Sequence, residues 1–185
     1  MMRLVQQGTG SRRPLVALWL VGSQMDAALR AALGKRPTIV ADVEAPSSVS
    51  LDTVLAYARG QTGAQVGQIV IGGWSLGCSR VRSLLMAGVR PSAVVCADGT
   101  TNTWPAPDPA KAAAWRDLVA SARRGGCAFA VSATSVDYTE RLRAPQVPYM
   151  ATVTAMRLAT GLPLVMPAGD APAEVHEGAL HVYSY

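Results

Sequence analysis

The sequence predicts an α/β fold: a doubly wound, mostly parallel sheet of about six strands with flanking helices, in a single domain over residues 1–185. Three observations predict it. Short apolar, β-branched runs alternate with stretches of helical spacing along the whole chain. The connections between them are short, and strict alternation with short connections implies parallel strands joined by crossover helices. Half of the residues are apolar and only 16% are charged, below the usual quarter. The chain therefore has material for a large core, or keeps some apolar surface for a substrate or partner.

Each element follows from its local pattern. Leu15–Val21 is a strand, and Ser23 can cap a helix through Ala32 with Met25, Ala28, Leu29 and Leu33 at helical spacing. Thr38–Val43 is a second strand. Leu51–Arg59 is a short helix, with Ser48 and Ser50 as capping candidates. Val66–Ile71 is a third strand, followed by a helix from Ser79 with Val81, Leu84, Leu85 and Val89 in register. Ser92–Ala97 is a fourth, ending in Asp98-Gly99. Asp108-Pro109 carries the cap and first-turn signature of a helix to about Arg124, which Gly125-Gly126 stops. Cys127–Ala133 is a fifth strand, Val147–Thr160 a helix, and Leu180–Tyr185 the last strand, with Pro163–Pro167 as its alternative. The proline-rich stretch Trp104–Pro109 is stiff; it walls a site or is a plain loop.

The junction between the third strand and its helix reads Gly73-Trp74-Ser75-Leu76-Gly77. Two glycines permit a turn too tight for side chains, with a serine held in a strained conformation at its tip. Such a turn lifts the Ser75 hydroxyl above the sheet and aims the Leu76 backbone N–H at a developing oxyanion. The competing reading is a glycine-rich turn whose serine merely caps the helix. Ligands in parallel sheets bind at the carboxyl ends of the strands. Ser75, Asp98, the Thr134–Asp137 loop and the Gly22–Ser23 turn all belong to that edge.

G-x-S-x-G between strand and helix is the nucleophile elbow of the α/β-hydrolases, and from the elbow onward the chain resembles that family. It is similar to the short, cutinase-sized serine esterases, which lack a large cap domain. The pentapeptide also matches some carboxylesterases acting on carrier-protein methyl esters. Ala97-Asp98-Gly99-Thr100 and Gly178-Ala-Leu-His181-Val182 are similar to segments of small hydrolases encoded in phage genomes. The resemblance implies the chain order nucleophile, acid, histidine. Ser75 would attack an ester carbonyl, with the N–H of Ser23 or Gln24, after the first strand, as second oxyanion donor beside Leu76. Of the two histidines, His181 lies among apolar neighbours and is favoured as the base. His176, between Glu174 and Glu177, takes that place if Pro163–Pro167 is the last strand. The acid is Asp137, by its spacing past the fifth strand, or Asp98, at the end of the fourth.

The expected activity is therefore that of a serine esterase or acyl hydrolase on a small-molecule or cell-envelope ester, needing no metal or organic cofactor. The alternatives are a non-catalytic hydrolase-fold interaction or virion component and an acyltransferase using the same elbow. The net charge of +5 comes without an aromatic-interleaved basic run, so nucleic acid is not an expected partner. Cys78, Cys96 and Cys127 are odd in number and unpaired in spacing, and read as buried small hydrophobes. Ser11-Arg12-Arg13-Pro14 looks like a twin-arginine signal, but the apolar run after it is short and is needed as a strand. The expectation is a chain that is cytoplasmic at synthesis, with no membrane span.

Overall fold

The sequence pattern does not announce the element that opens the chain, β1 (Met2–Gln6). The described residues of this computed structural model are 1–44, 49–100, 107–134, 151–162, 164 and 172–185. They fall into two compact units, Met1–Val94 and Val95–Tyr185.

In the first unit, the predicted first strand forms as β2 (Arg12–Trp19) and stops at Leu20, which turns the chain at φ 58°. Ser23 does not cap the next helix. Gly22, at φ 79° and ψ 160°, leads into a 3-10 turn (Ser23–Met25) without a side-chain cap, and α1 (Asp26–Leu33) follows. Then come β3 (Ile39–Val43) and α2 (Leu51–Thr62). The Ser50 hydroxyl accepts from the Thr53 N–H at 3.1 Å, and Gly63 ends α2 in the left-handed region. β4 (Gln65–Trp74) and α3 (Leu76–Met86) complete the unit. The strands lie in the order β1-β3-β2-β4. β2 runs parallel to β3 and β4, and β1 closes the edge antiparallel to β3. Both faces are covered. Leu29 and Leu33 of α1 pack with Val5, Val16, Leu18 and Val40. Alternation sends Leu15, Ala17 and Trp19 to the opposite face, where α3 meets Trp19.

The division between units falls inside β5 (Ala93–Ala97). α4 (Pro109–Arg123) starts as its signature requires: the Asp108 carboxylate accepts from the Ala110 and Lys111 N–H groups at 2.9 and 3.3 Å. β6 (Ala128–Ala133), α5 (Thr152–Thr160), β7 (Ala173–Glu177) and β8 (Leu180–Ser184) follow. The order here is β5-β6-β8-β7, with β8 parallel to β6 and β7 antiparallel to β8. The Trp115 ring of α4 stacks on Phe129 of β6, planes 2° apart and centroids 6.2 Å. Leu180 and Val182 share the face of Phe129 and Val131, which leaves His181 and Tyr183 on the other.

The fold is thus α/β with flanking helices, as expected, but eight strands stand among the described residues rather than six. The two additions, β1 and β7, are antiparallel edge strands. An edge strand half in water needs few apolar residues, so Ala173-Glu-Val-His-Glu177 carries no strong strand signal. The alternative last strand at Pro163–Pro167 lies outside the described residues, apart from Leu164. Cys78, Cys96 and Cys127 are buried, as their apolar settings suggest.

Candidate active site

A single residue, Ser75, separates β4 from α3. It is solvent-exposed and stands at φ 50°, ψ −119°, a conformation that a side chain opposes. The two glycines are there for space. A Cβ on Gly73 would lie 2.4 Å from the Gly77 carbonyl carbon, and one on Gly77 only 2.0 Å from the Trp19 carbonyl oxygen. Helix and strands therefore approach as closely as backbones can, and the serine bears the resulting bend. Behind it the Cys78 thiol donates to the Gly73 carbonyl at 3.0 Å, bracing the turn. The Ser75 side chain makes no capping hydrogen bond to α3. This removes the competing reading of the motif as a simple cap.

Leu76 is the first residue of α3, so its N–H belongs to the turn that has no intrahelical acceptors and carries the positive end of the helix dipole. The loop expected to supply a second donor begins just past Trp19, whose carbonyl lies against Gly77. Its shape is set by a residue whose role the sequence pattern conceals. Asp42 is fully buried in β3, and its carboxylate accepts from the Gly22 N–H at 3.2 Å and, less closely, from the Val21 N–H at 3.4 Å. With those two amides engaged, Ser23 and Gln24 carry the next amides along the loop. Arg3 of β1 balances the charge of Asp42 at 2.6 Å, and also reaches Asp26 at 2.5 Å and Glu44 at 3.0 Å. Hydrogen bonding to Asp26, opposed by desolvation and joined by Asp42, raises the Arg3 pKa above the ordinary guanidinium value. A carboxylate inside the apolar run Thr38–Val43 was the signal for this network.

In the second unit, Asp98 follows β5 at φ 45°, and its N–H donates to the Ser132 carbonyl at 3.0 Å. Its Oδ1 accepts from the Thr134 hydroxyl at 2.8 Å and the Thr152 hydroxyl at 3.0 Å. Thr152 also accepts from the Thr134 N–H at 2.7 Å, which ties the start of α5 to the end of β6. Asp98 is thus a carboxylate held at a strand end. Asp137 lies outside the described residues. His181 sits within β8, paired with Ala130 on one side and His176 on the other. Its Nδ1 meets His176 Nδ1 at 2.6 Å, and His176 Nε2 meets Glu174 Oε2 at 3.0 Å. The structure brings the two histidines together, and Thr134 and Thr152 are among the partners of Asp98.

No family model matches the chain, and no curated protein sequence matches it. Solved structures do. TT1662 from Thermus thermophilus superposes with a TM-score of 0.51 at 16% identity, over 96% of this chain and 81% of that one. A cold-adapted esterase from an Arctic intertidal metagenomic library gives 0.47 at 14% identity, over 96% and 74%. Poly(aspartic acid) hydrolase-1 from Sphingomonas sp. KT-1 gives 0.46 at 18% identity, over 83% and 72%. The likeness is one of fold. What the chain itself shows is an α/β sheet with flanking helices.

Proposed function

We propose that the protein is a serine acyl hydrolase that cleaves a carboxylic ester through an acyl-enzyme on Ser75. One observation carries the reading: an exposed serine at φ 50° between strand and helix, its side chain not used as a cap. Strain of this kind persists where the surrounding structure enforces it, and here Gly73 and Gly77 do so. The Ser75 hydroxyl attacks the carbonyl carbon. The oxyanion forms against the Leu76 N–H and the amide of Ser23 or Gln24. His181 is the proposed base. Of the two aspartates, Asp98 has the support of a fixed carboxylate, because Thr134 and Thr152 orient it.

A second reading is favoured by a specific observation. His181 lies mid-strand with its Nδ1 turned to His176 rather than to a carboxylate. A hydrolase-fold protein that binds a partner without turnover needs no more than this. Fluorophosphonate labelling with mapping of the modified residue, together with hydrolysis of p-nitrophenyl butyrate, separates the two. The expected results are labelling at Ser75 and a loss of several orders of magnitude in kcat for Ser75→Ala and His181→Ala, with His176→Ala within a few-fold of wild type. An unlabelled, inactive wild-type protein would establish the non-catalytic reading. Turnover surviving in Ser75→Ala would refute the acyl-enzyme.

A further inference from the structure

The hairpin of β7 and β8 carries both histidines of the chain at directly opposed positions. Its register is pinned from several sides. Gly178 turns the chain at φ 62°, where a Cβ would lie 2.8 Å from the Arg123 carbonyl oxygen. The Ala179 N–H donates to the Ala122 carbonyl at 3.1 Å, and the Ala179 carbonyl accepts from the Phe129 N–H at 2.9 Å. Arg123 Nε donates to Glu177 Oε2 at 2.6 Å. The backbone therefore presents the two imidazoles to each other without any adjustment of pairing.

The rings meet edge to face, 68° apart, with the two Nδ1 atoms at 2.6 Å. Glu174 accepts the Nε2–H of His176 at 3.0 Å, which in the neutral imidazole leaves His176 Nδ1 with a lone pair. A lone pair aimed at a second ring nitrogen so close by needs an electrophile between them. A proton on His181 Nδ1 meets that need, and a metal ion meets it equally well.

We propose that His176 and His181 form a two-histidine clip for a late divalent transition ion, copper(II) in preference to zinc(II). The ion takes the place of the shared proton, and His181 changes tautomer to carry its proton on Nε2. An ion between the two Nδ1 atoms, bound at about 2.0–2.1 Å to each, holds them roughly 4.0–4.2 Å apart, so the rings need to part by about 1.5 Å. The His176 side chain is 45% exposed, so it has room to turn and water completes the coordination. Glu174 behind His176 is the carboxylate that orients a metal-binding imidazole and raises its basicity. Imidazole nitrogens suit copper, nickel and zinc rather than magnesium or calcium, and copper(II) binds such donors most strongly. Among the described residues no third His, Cys, Asp or Glu joins the group, so binding is exchangeable rather than structural.

The clip shares His181 with the hydrolase reading, but it is measured with no substrate present, so the two readings can fail separately. Untagged full-length protein, freed of metal, is titrated calorimetrically with copper(II), zinc(II) and magnesium chloride. One equivalent of copper is expected to bind at least tenfold more tightly than zinc, with no response to magnesium. The copper electron paramagnetic resonance spectrum should show two coupled nitrogens. His176→Ala and His181→Ala should each weaken copper binding at least tenfold, and Glu174→Gln several-fold. In the wild type, needing no variant, zinc should shift the ring-proton resonances of both histidines together. Binding that is unchanged in both alanine variants, or histidine resonances indifferent to zinc, would overturn the clip.

Discussion

Ser75 joins backbone strain to the proposed chemistry in one residue. A non-glycine side chain at φ 50° and ψ −119° costs on the order of 1–3 kcal/mol. Glycine removes that cost but loses about 0.5–1 kcal/mol through its freer unfolded chain. Ser75→Gly should therefore stabilise the protein by about 1 kcal/mol while abolishing ester turnover. Urea unfolding of the variant beside Ser75→Ala checks this, since alanine keeps the strain. A glycine variant no more stable than the alanine one would show that the elbow is relaxed. Of the features at this scale, the two glycines and the serine were legible in the sequence, because the motif is contiguous. The atoms that make glycine necessary at position 77 were not, since Trp19 is distant in the chain and close only in space.

At the scale of elements, β3 governs the loop after β2. The buried Asp42 carboxylate engages the Val21 and Gly22 amides on one side and Arg3 of β1 on the other. Breaking a buried charge pair costs several kcal/mol, less where the surviving partner keeps other contacts and some water. Arg3 retains Asp26 and Glu44, so Asp42→Asn should lower stability by about 2 kcal/mol. If the loop positions an oxyanion donor, its loosening falls on the chemical step. The expected signature is a kcat reduced by ten-fold or more with KM little changed, and Asp42→Glu restoring part of it. Thermal melts and ester kinetics on the two variants measure both effects. A purely structural Asp42 would lower the melting temperature and leave kcat alone. This element-level control was hidden in the sequence. An aspartate among apolar strand residues marks a buried charge but does not say what it holds.

Over the whole molecule, a formal charge of +5 favours the approach of anions at low ionic strength. For the proposed hydrolase, an ester bearing a carboxylate should lose several-fold in kcat/KM between low and physiological-plus salt. An uncharged ester of the same size should not. Paired salt titrations of the two substrates test this, and equal salt dependence would show that the excess cations lie away from the substrate's path. No helix among the described residues is long and apolar enough to cross a membrane.

The sequence by itself determined the α/β class, most of the elements and the position of the elbow. Each of these depends on contiguous residues: period-two or 3.6-residue spacing, Ser50 and Asp108 at helix starts, Gly73 and Gly77 around Ser75. The tertiary structure alone decided the edge strands β1 and β7, the Asp42–Arg3 support of the loop, the threonines that hold Asp98, and the meeting of His176 with His181. Those contacts depend on strand order and register. A one-residue slip in β7 would send His176 to the opposite face, yet leave the local pattern of the chain unchanged. Local pattern fixes which segments become strands; burial of the shared faces fixes how they pair, and pairing decides which side chains meet.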